Sequence, residues 1–230
     1  MMFTTLFQTS DITASAFASA TMACFAAAAI MALGLTWCSE RWRVPVALAG
    51  VALGVSGFFY LGASELWLAS GKASAALRFA AWFAVHPLLV AAAYFYANNA
   101  GPVASGVFWR TTIAAFLMVF CRYLGDAHIF NSTLGVLLSI AFWLYILGEM
   151  YFGKMADAVR KASRPIRLGY FWIRLIMTIG WAIIPILHFV DVVIGVDHGP
   201  VIATLYTLAD FVNLITLALI HLGVAGKEHY

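Results

Sequence analysis

Seven runs of mostly apolar residues, at 12–38, 44–69, 75–97, 107–125, 132–152, 168–194 and 201–225, take up most of the 230-residue chain. A helix needs about 20 such residues to cross the hydrocarbon layer of a bilayer. The segments between the runs (39–43, 70–72, 98–102, 126–131, 154–167 and 196–200) are short and are polar or rich in Gly and Pro. Backbone in hydrocarbon must satisfy its own hydrogen bonds, which leaves helices as the simplest solution for runs of this length. The pattern predicts an all-α membrane protein, a seven-transmembrane-helix bundle that forms one domain over 1–230. Only 10% of residues are charged and 64% are hydrophobic, whereas an ordinary soluble domain is about one quarter charged. That charge cannot cover a soluble surface, which excludes a cytosolic enzyme, a nucleic-acid binder and a disordered adaptor. The N-terminal segment lacks a basic region and a small-residue cleavage site, so it reads as a mature span. Cys24, Cys38 and Cys121 have no disulfide or metal spacing and read as small buried hydrophobes.

Lys and Arg set the expected orientation in the cell (plasma or inner) membrane. Arg41, Arg43, Arg110, Lys154, Arg160, Lys161, Arg164, Arg167 and Lys227 fall to one side, and Lys72 to the other. The N-terminus is expected outside and the C-terminus in the cytoplasm. The Lys154–Arg167 segment reads as a topology signal or as a docking site for a cytoplasmic partner.

Ionisable groups inside spans are costly and mark candidate functional positions. Here they are Arg78, His86, Arg122, Asp126, Glu149, Arg174, His188, Asp191, Asp210 and His221. Arg122 and Asp126 are four residues apart, on one helical face. Glu149 is expected to pair with Arg174, and His221 to face the membrane interface. His188, Asp191 and His198 could in principle ligate a metal or haem, but they show no definite ligand spacing, so no metal is predicted.

The third span reads Arg78-Phe79-Ala80-Ala81-Trp82-Phe83-Ala84-Val85-His86-Pro87-Leu88-Leu89. It resembles the Arg-Tyr-x-Asp-Trp-x-x-Thr-x-Pro-Leu-Leu signature of the microbial rhodopsins. Gly180-Trp181-Ala182-Ile183-Ile184-Pro185 is similar to their Trp-x-x-Tyr-Pro motif. Leu208-Ala209-Asp210-Phe211-Val212-Asn213, Tyr123-Leu124-Gly125-Asp126-Ala127 and Tyr145-Ile146-Leu147-Gly148-Glu149 resemble the proteorhodopsin branch. The resemblance runs through all seven spans in order. It implies a remnant retinal pocket at Trp82, Trp143, Trp181, Ile184, His188 and Leu214. It also implies a polar core network of Tyr60, Arg78 and Asp210, with His86, Arg122 and Asp126 beside it.

The chain departs from the family where the family's chemistry resides. The lysine that carries retinal in the family falls at Leu214, and the four lysines here, Lys72, Lys154, Lys161 and Lys227, all lie in loops or the tail. A Schiff base needs a primary amine in the pocket. The family's proton-acceptor and proton-donor positions are Ala81 and Ala92, and the threonine beside the acceptor is Val85; methyl groups relay no protons. With no Schiff-base cation, Asp210 is expected to form a salt bridge with Arg78 that plugs the core. His86 is expected to pair with Asp126 as a helix clamp or a proton-sensitive switch.

These departures argue against conventional light-driven pumping. The first expectation is noncovalent binding of retinal, a carotenoid or another apolar ligand between Trp82 and Trp181. The alternatives are a chromophore-free structural or signalling partner that acts by oligomerisation, and a passive proton or ion conductor. No activated nucleophile or paired-carboxylate site suggests an enzyme. The resemblance implies a homo-oligomer in the lipid bilayer, and glycines such as Gly50, Gly54 and Gly57 permit close helix approach within or between chains.

Overall fold

The computed structural model describes residues 11–194 and 199–228, with the side chains at 188 and 190–194 left aside. Eight helices follow in order: α1 (Ile12–Trp37), α2 (Glu40–Ser70), α3 (Ala75–Ala100), α4 (Ser105–Asp126), α5 (Ser132–Phe152), the short α6 (Lys154–Arg160), α7 (Arg164–Ile194) and α8 (Gly199–Lys227). Seven stretches among the described residues are long and apolar enough to cross a membrane, as predicted. The spanning helices pack in sequence around a ring that closes where α8 meets α1. α3 lies innermost, in contact with α2, α4, α6 and α7.

Large apolar side chains point outward as well as inward. Trp109, Ile113, Phe116 and Phe120 form an exposed stripe at helical spacing along α4. Such a stripe suits a helix whose outer solvent is lipid. Cys24 and Cys38 are buried and Cys121 is half-buried, all as free thiols.

Local chemistry sets the helix ends. Asp11 caps α1, accepting from the backbone N–H groups of Thr13 (2.8 Å) and Ala14 (3.1 Å) and from the Trp67 indole N–H (2.7 Å). One carboxylate thus caps α1 and ties it to the far end of α2. α2 stops at Gly71, whose φ of +65° is the left-handed conformation that glycine adopts without a Cβ clash. Ser74 and Asn131 cap α3 and α5.

The helices invade three segments predicted as loops. α2 begins at Glu40, because Trp42 is fully buried edge-on to Tyr96, with ring centroids 5.0 Å apart. α3 continues through Asn98 and Asn99, whose side chains bond to the Val103 N–H and the Arg41 carbonyl. The 154–167 segment holds α6, anchored by buried Met155 and Val159, and the first turn of α7. The basic residues gather at one end, where Arg41 pairs with Glu228 at 2.7 Å and Glu228 also accepts from Ser163. Asp11, Trp67, Lys72 and Ser74 lie at the other end. Of the candidate ligand positions, His198 lies outside the described residues, as do the side chains of His188 and Asp191.

Glycines set the closest helix approach. A Cβ on Gly135 of α5 would lie 2.7 Å from the Cys121 carbonyl oxygen and 2.8 Å from the Gly125 Cα of α4. Gly50 and Gly57 of α2 face Met31 and Phe25 of α1 within the chain, whereas nothing stands near Gly54. Gly135→Ala is expected to lower the thermal midpoint in detergent, with a cost of about 1–3 kcal/mol from overpacking against backbone, and Gly54→Ala to leave it unchanged. Hydrogen bonds to Asp11, that of the Trp67 indole first, hold its carboxyl below the usual carboxylate range. Such a group stabilises the fold above its unfolded pKa, and that contribution disappears as pH falls through the lower folded value. Acid titration is therefore expected to change Trp67 fluorescence below about pH 4, a change that Asp11→Asn removes.

Candidate functional site

The site is built on α3. Arg78, Ala81, Trp82, Val85 and His86 recur at three- and four-residue intervals and so share one face, which points into the ring. Opposite them stand Tyr206, Asp210 and Leu214 of α8, each a turn from the next, with Tyr60 on α2, Trp181 and Ile184 on α7 and Trp143 on α5.

The expected Arg78–Asp210 salt bridge does not form. Asp210 Oδ2 accepts the indole N–H of Trp82 at 2.8 Å, and the Tyr60 hydroxyl also bonds to this carboxyl. The Arg78 guanidinium instead lies over the Tyr206 ring, 4.7 Å from its centroid, and near Trp82 at 5.6 Å and Phe79 at 5.9 Å. Aromatic faces attract a guanidinium through their quadrupoles. The indole donor and the Tyr206 face thus divide between them the two groups expected to pair. Both groups line a cavity of about 60 Å³, room for a few water molecules.

The expected His86–Asp126 pair is absent too. Asp126 pairs with Arg122, one turn away on α4, and Arg122 also reaches the Tyr206 hydroxyl. His86 Nδ1 donates to the Trp82 carbonyl at 3.2 Å. Its ring lies 4.7 Å from that of Trp181 and 5.7 Å from that of Trp82, in contact with both indoles. The flat slot expected between the tryptophans is therefore filled from within the chain. A second cavity of about 40 Å³, toward Trp143, Ile184 and Pro185, shares Trp82, His86 and Trp181 with the first. These three side chains form the partition between the two spaces.

Leu214 lines the first cavity beside Asp210 and is buried, as is Ala92. Lys72, Lys154, Lys161 and Lys227 are all exposed. Trp143 donates its indole N–H to the Met177 carbonyl at 3.0 Å, which ties α5 to α7. Two further expectations are corrected. Glu149 bonds to Arg110 at 3.1 Å, while Arg174 lies over Tyr151, 4.6 Å from its ring centroid. His221 is 1% exposed and packs edge-on to Tyr96, so it faces the core and not the membrane interface. Among the described residues no cluster of three metal-ligating side chains occurs.

Sequence reasoning missed Tyr206, the hub of the polar core. It supports Arg78, adjoins Arg122 and donates to the Ile184 carbonyl at 3.3 Å. Its position one turn before Asp210 was the available signal. Trp82→Phe would leave the buried Asp210 carboxyl without its indole donor. The expected cost is about 1–3 kcal/mol, read as a lower thermal midpoint with the helical circular dichroism of the folded protein unchanged.

Comparison with known proteins agrees with this architecture. The chain is 28% identical to the green-light absorbing proteorhodopsin of Gamma-proteobacterium EBAC31A08 over 221 residues, 95% of this chain and 88% of that one. It is also 28% identical to the blue-light absorbing proteorhodopsin of Gamma-proteobacterium Hot 75m4, over 83% of this chain and 76% of that one. The crystal structure of Exiguobacterium sibiricum rhodopsin superposes with a TM-score of 0.83 at 20% identity, covering 94% and 96% of the two chains. The family model for bacteriorhodopsin-like proteins matches residues 11–227, and the chain belongs to that family.

Proposed function

We propose that this protein forms no retinal Schiff base and acts without a chromophore, as a structural or signalling partner in the membrane. The observation that carries the reading is the His86 ring lodged against both Trp82 and Trp181, with Leu214 at the position of the family's lysine. The residues present do not fit retinal. Cavities of about 60 and 40 Å³ fall far below the roughly 300–1,000 Å³ of ordinary small-molecule sites. The only amines among the side chains are the four exposed lysines. Light-driven transport of the family's kind would also need a proton acceptor at Ala81 and a proton donor at Ala92, and neither methyl side chain can serve.

A passive proton path has little support. The polar cavity ends at Leu214, and Leu217, Ala218 and Ala92 beyond it are buried and apolar. What remains is a stably packed seven-helix body whose effects come through what it touches. Self-association in the bilayer, and docking at the basic 154–167 segment, are the contacts it would use. On the distribution of Lys and Arg that segment faces the cytoplasm and the N-terminus lies outside.

Adding all-trans retinal to the purified protein is expected to give the spectrum of free retinal and no rise in thermal midpoint. A shifted band, or stabilisation of several degrees, would overturn the reading. In the Leu214→Lys, Ala81→Asp background, adding His86→Ala is expected to increase pigment yield severalfold, because it opens the slot. Equal yields with and without His86→Ala would remove the histidine from the argument. Proton flux through liposomes at an imposed potential is expected to match that of empty liposomes.

A further inference from the structure

At the basic end of the bundle, α5, α6 and α7 form an open cavity of about 210 Å³ lined by Arg160, Arg167, Arg174, Tyr151 and Tyr170, with two small apolar side chains of α6. No carboxyl lines it. Arg167, Tyr170 and Arg174 stand at positions i, i+3 and i+7 of α7 and share one face, while Arg160 approaches from the last turn of α6.

The protein itself uses only part of this donor capacity. Arg160 donates to Asp157 at 2.9 Å and Arg167 to the Ala162 carbonyl at 2.7 Å. Arg174 lies between the rings of Tyr151 and Phe171, 4.6 and 5.7 Å from their centroids, and its buried Nε has no hydrogen-bond acceptor. The Glu149 carboxyl, which adjoins Tyr170, bonds to Arg110 on the α4 side. Each guanidinium carries five N–H donors in a planar fork, a geometry that matches the oxygens of a phosphate. Three such groups around one cavity, with few internal acceptors, present donors suited to an anion.

The surroundings indicate where the anion comes from. Phe152 is 87% exposed and Phe171 and Trp172 are nearly half exposed. These apolar side chains flank the arginines where α5 and α7 leave the apolar span. Aromatic residues at that level and cations just beyond it characterise the headgroup layer, where basic pockets between helices bind anionic headgroups.

We propose that this cavity binds the phosphate of an anionic membrane lipid. Arg160, Arg167 and Arg174 hold the phosphate oxygens, and the acyl chains lie along Phe152 and Phe171. The site is separate from the Trp82–His86–Trp181 partition and does not depend on the reading of that partition.

Native mass spectrometry of the full chain, released from micelles containing phosphatidylglycerol or phosphatidylcholine, tests the assignment. One phosphatidylglycerol per chain is expected to survive activation that strips phosphatidylcholine. Arg167→Gln combined with Arg174→Gln is expected to reduce retention at least tenfold, at roughly fivefold per cation, and Arg43→Gln, at the same end of the bundle, to leave it unchanged. Should the double variant fail to fold by circular dichroism, Arg160→Gln, whose exposed side chain carries little of the packing, is expected to lower retention roughly fivefold. Equal retention of the two lipids, or equal loss in Arg43→Gln, overturns the proposal. So does displacement of the lipid by millimolar inorganic phosphate, which would mark a site for free anions.

Discussion

Hydrocarbon offers no water to a stranded polar group, and that constraint governs where almost every polar side chain in this bundle points. The solution recurs throughout: the side chain bonds to a backbone carbonyl within reach, most often one turn back on its own helix. Thr111, Thr178, Thr207 and Thr216 bond in this way. So do His86 and His221, through Nδ1 to the carbonyls of Trp82 and Leu217. Tyrosines and tryptophans do the same between elements, with Tyr96 bonding to Ile166, Tyr170 to Met150, and Trp143 to Met177. The tyrosine and tryptophan bonds fasten one helix to another, the threonine and histidine bonds stay within a helix, and few polar groups are left to pair with one another.

The core electrostatics follow from the same rule. Asp210 takes donors from Trp82 and Tyr60, and Arg78 takes the faces of Tyr206 and its neighbours. A direct Arg78–Asp210 contact would require both groups to give up these partners, and a desolvated ion pair returns little beyond what its members already have. His86 follows suit. Once its Nδ1 is committed to the Trp82 carbonyl, its ring falls between two indoles and divides the space that would otherwise be continuous. With the two indoles it separates the two cavities.

Much of the architecture was legible in the chain itself. Runs of sufficient length, separated by Gly, Pro and charge, mark spans whatever their packing, and the seven long helices stand where those runs lie. The misread boundaries at Glu40, Ala100 and Arg164 have tertiary causes: Trp42 is buried against Tyr96, Asn99 bonds across to the Arg41 carbonyl and Ser163 to Glu228, and each contact holds a helix where composition suggests a loop. Site residues on one helix, such as Arg122 and Asp126, were readable from their spacing. Pairings between helices were not: Glu149 meets Arg110 and not Arg174, a choice that residue spacing within one helix does not encode.

By itself, then, the sequence determined the number of spans, the family and the absence of any lysine from the helical core, because each of these depends only on residue type and order. Tertiary structure alone decided which polar group met which, that His86 lies against both tryptophans, and that three arginines from two helices surround one cavity. Those outcomes depend on angles and distances between helices, where a rotation of a few tens of degrees exchanges one partner for another.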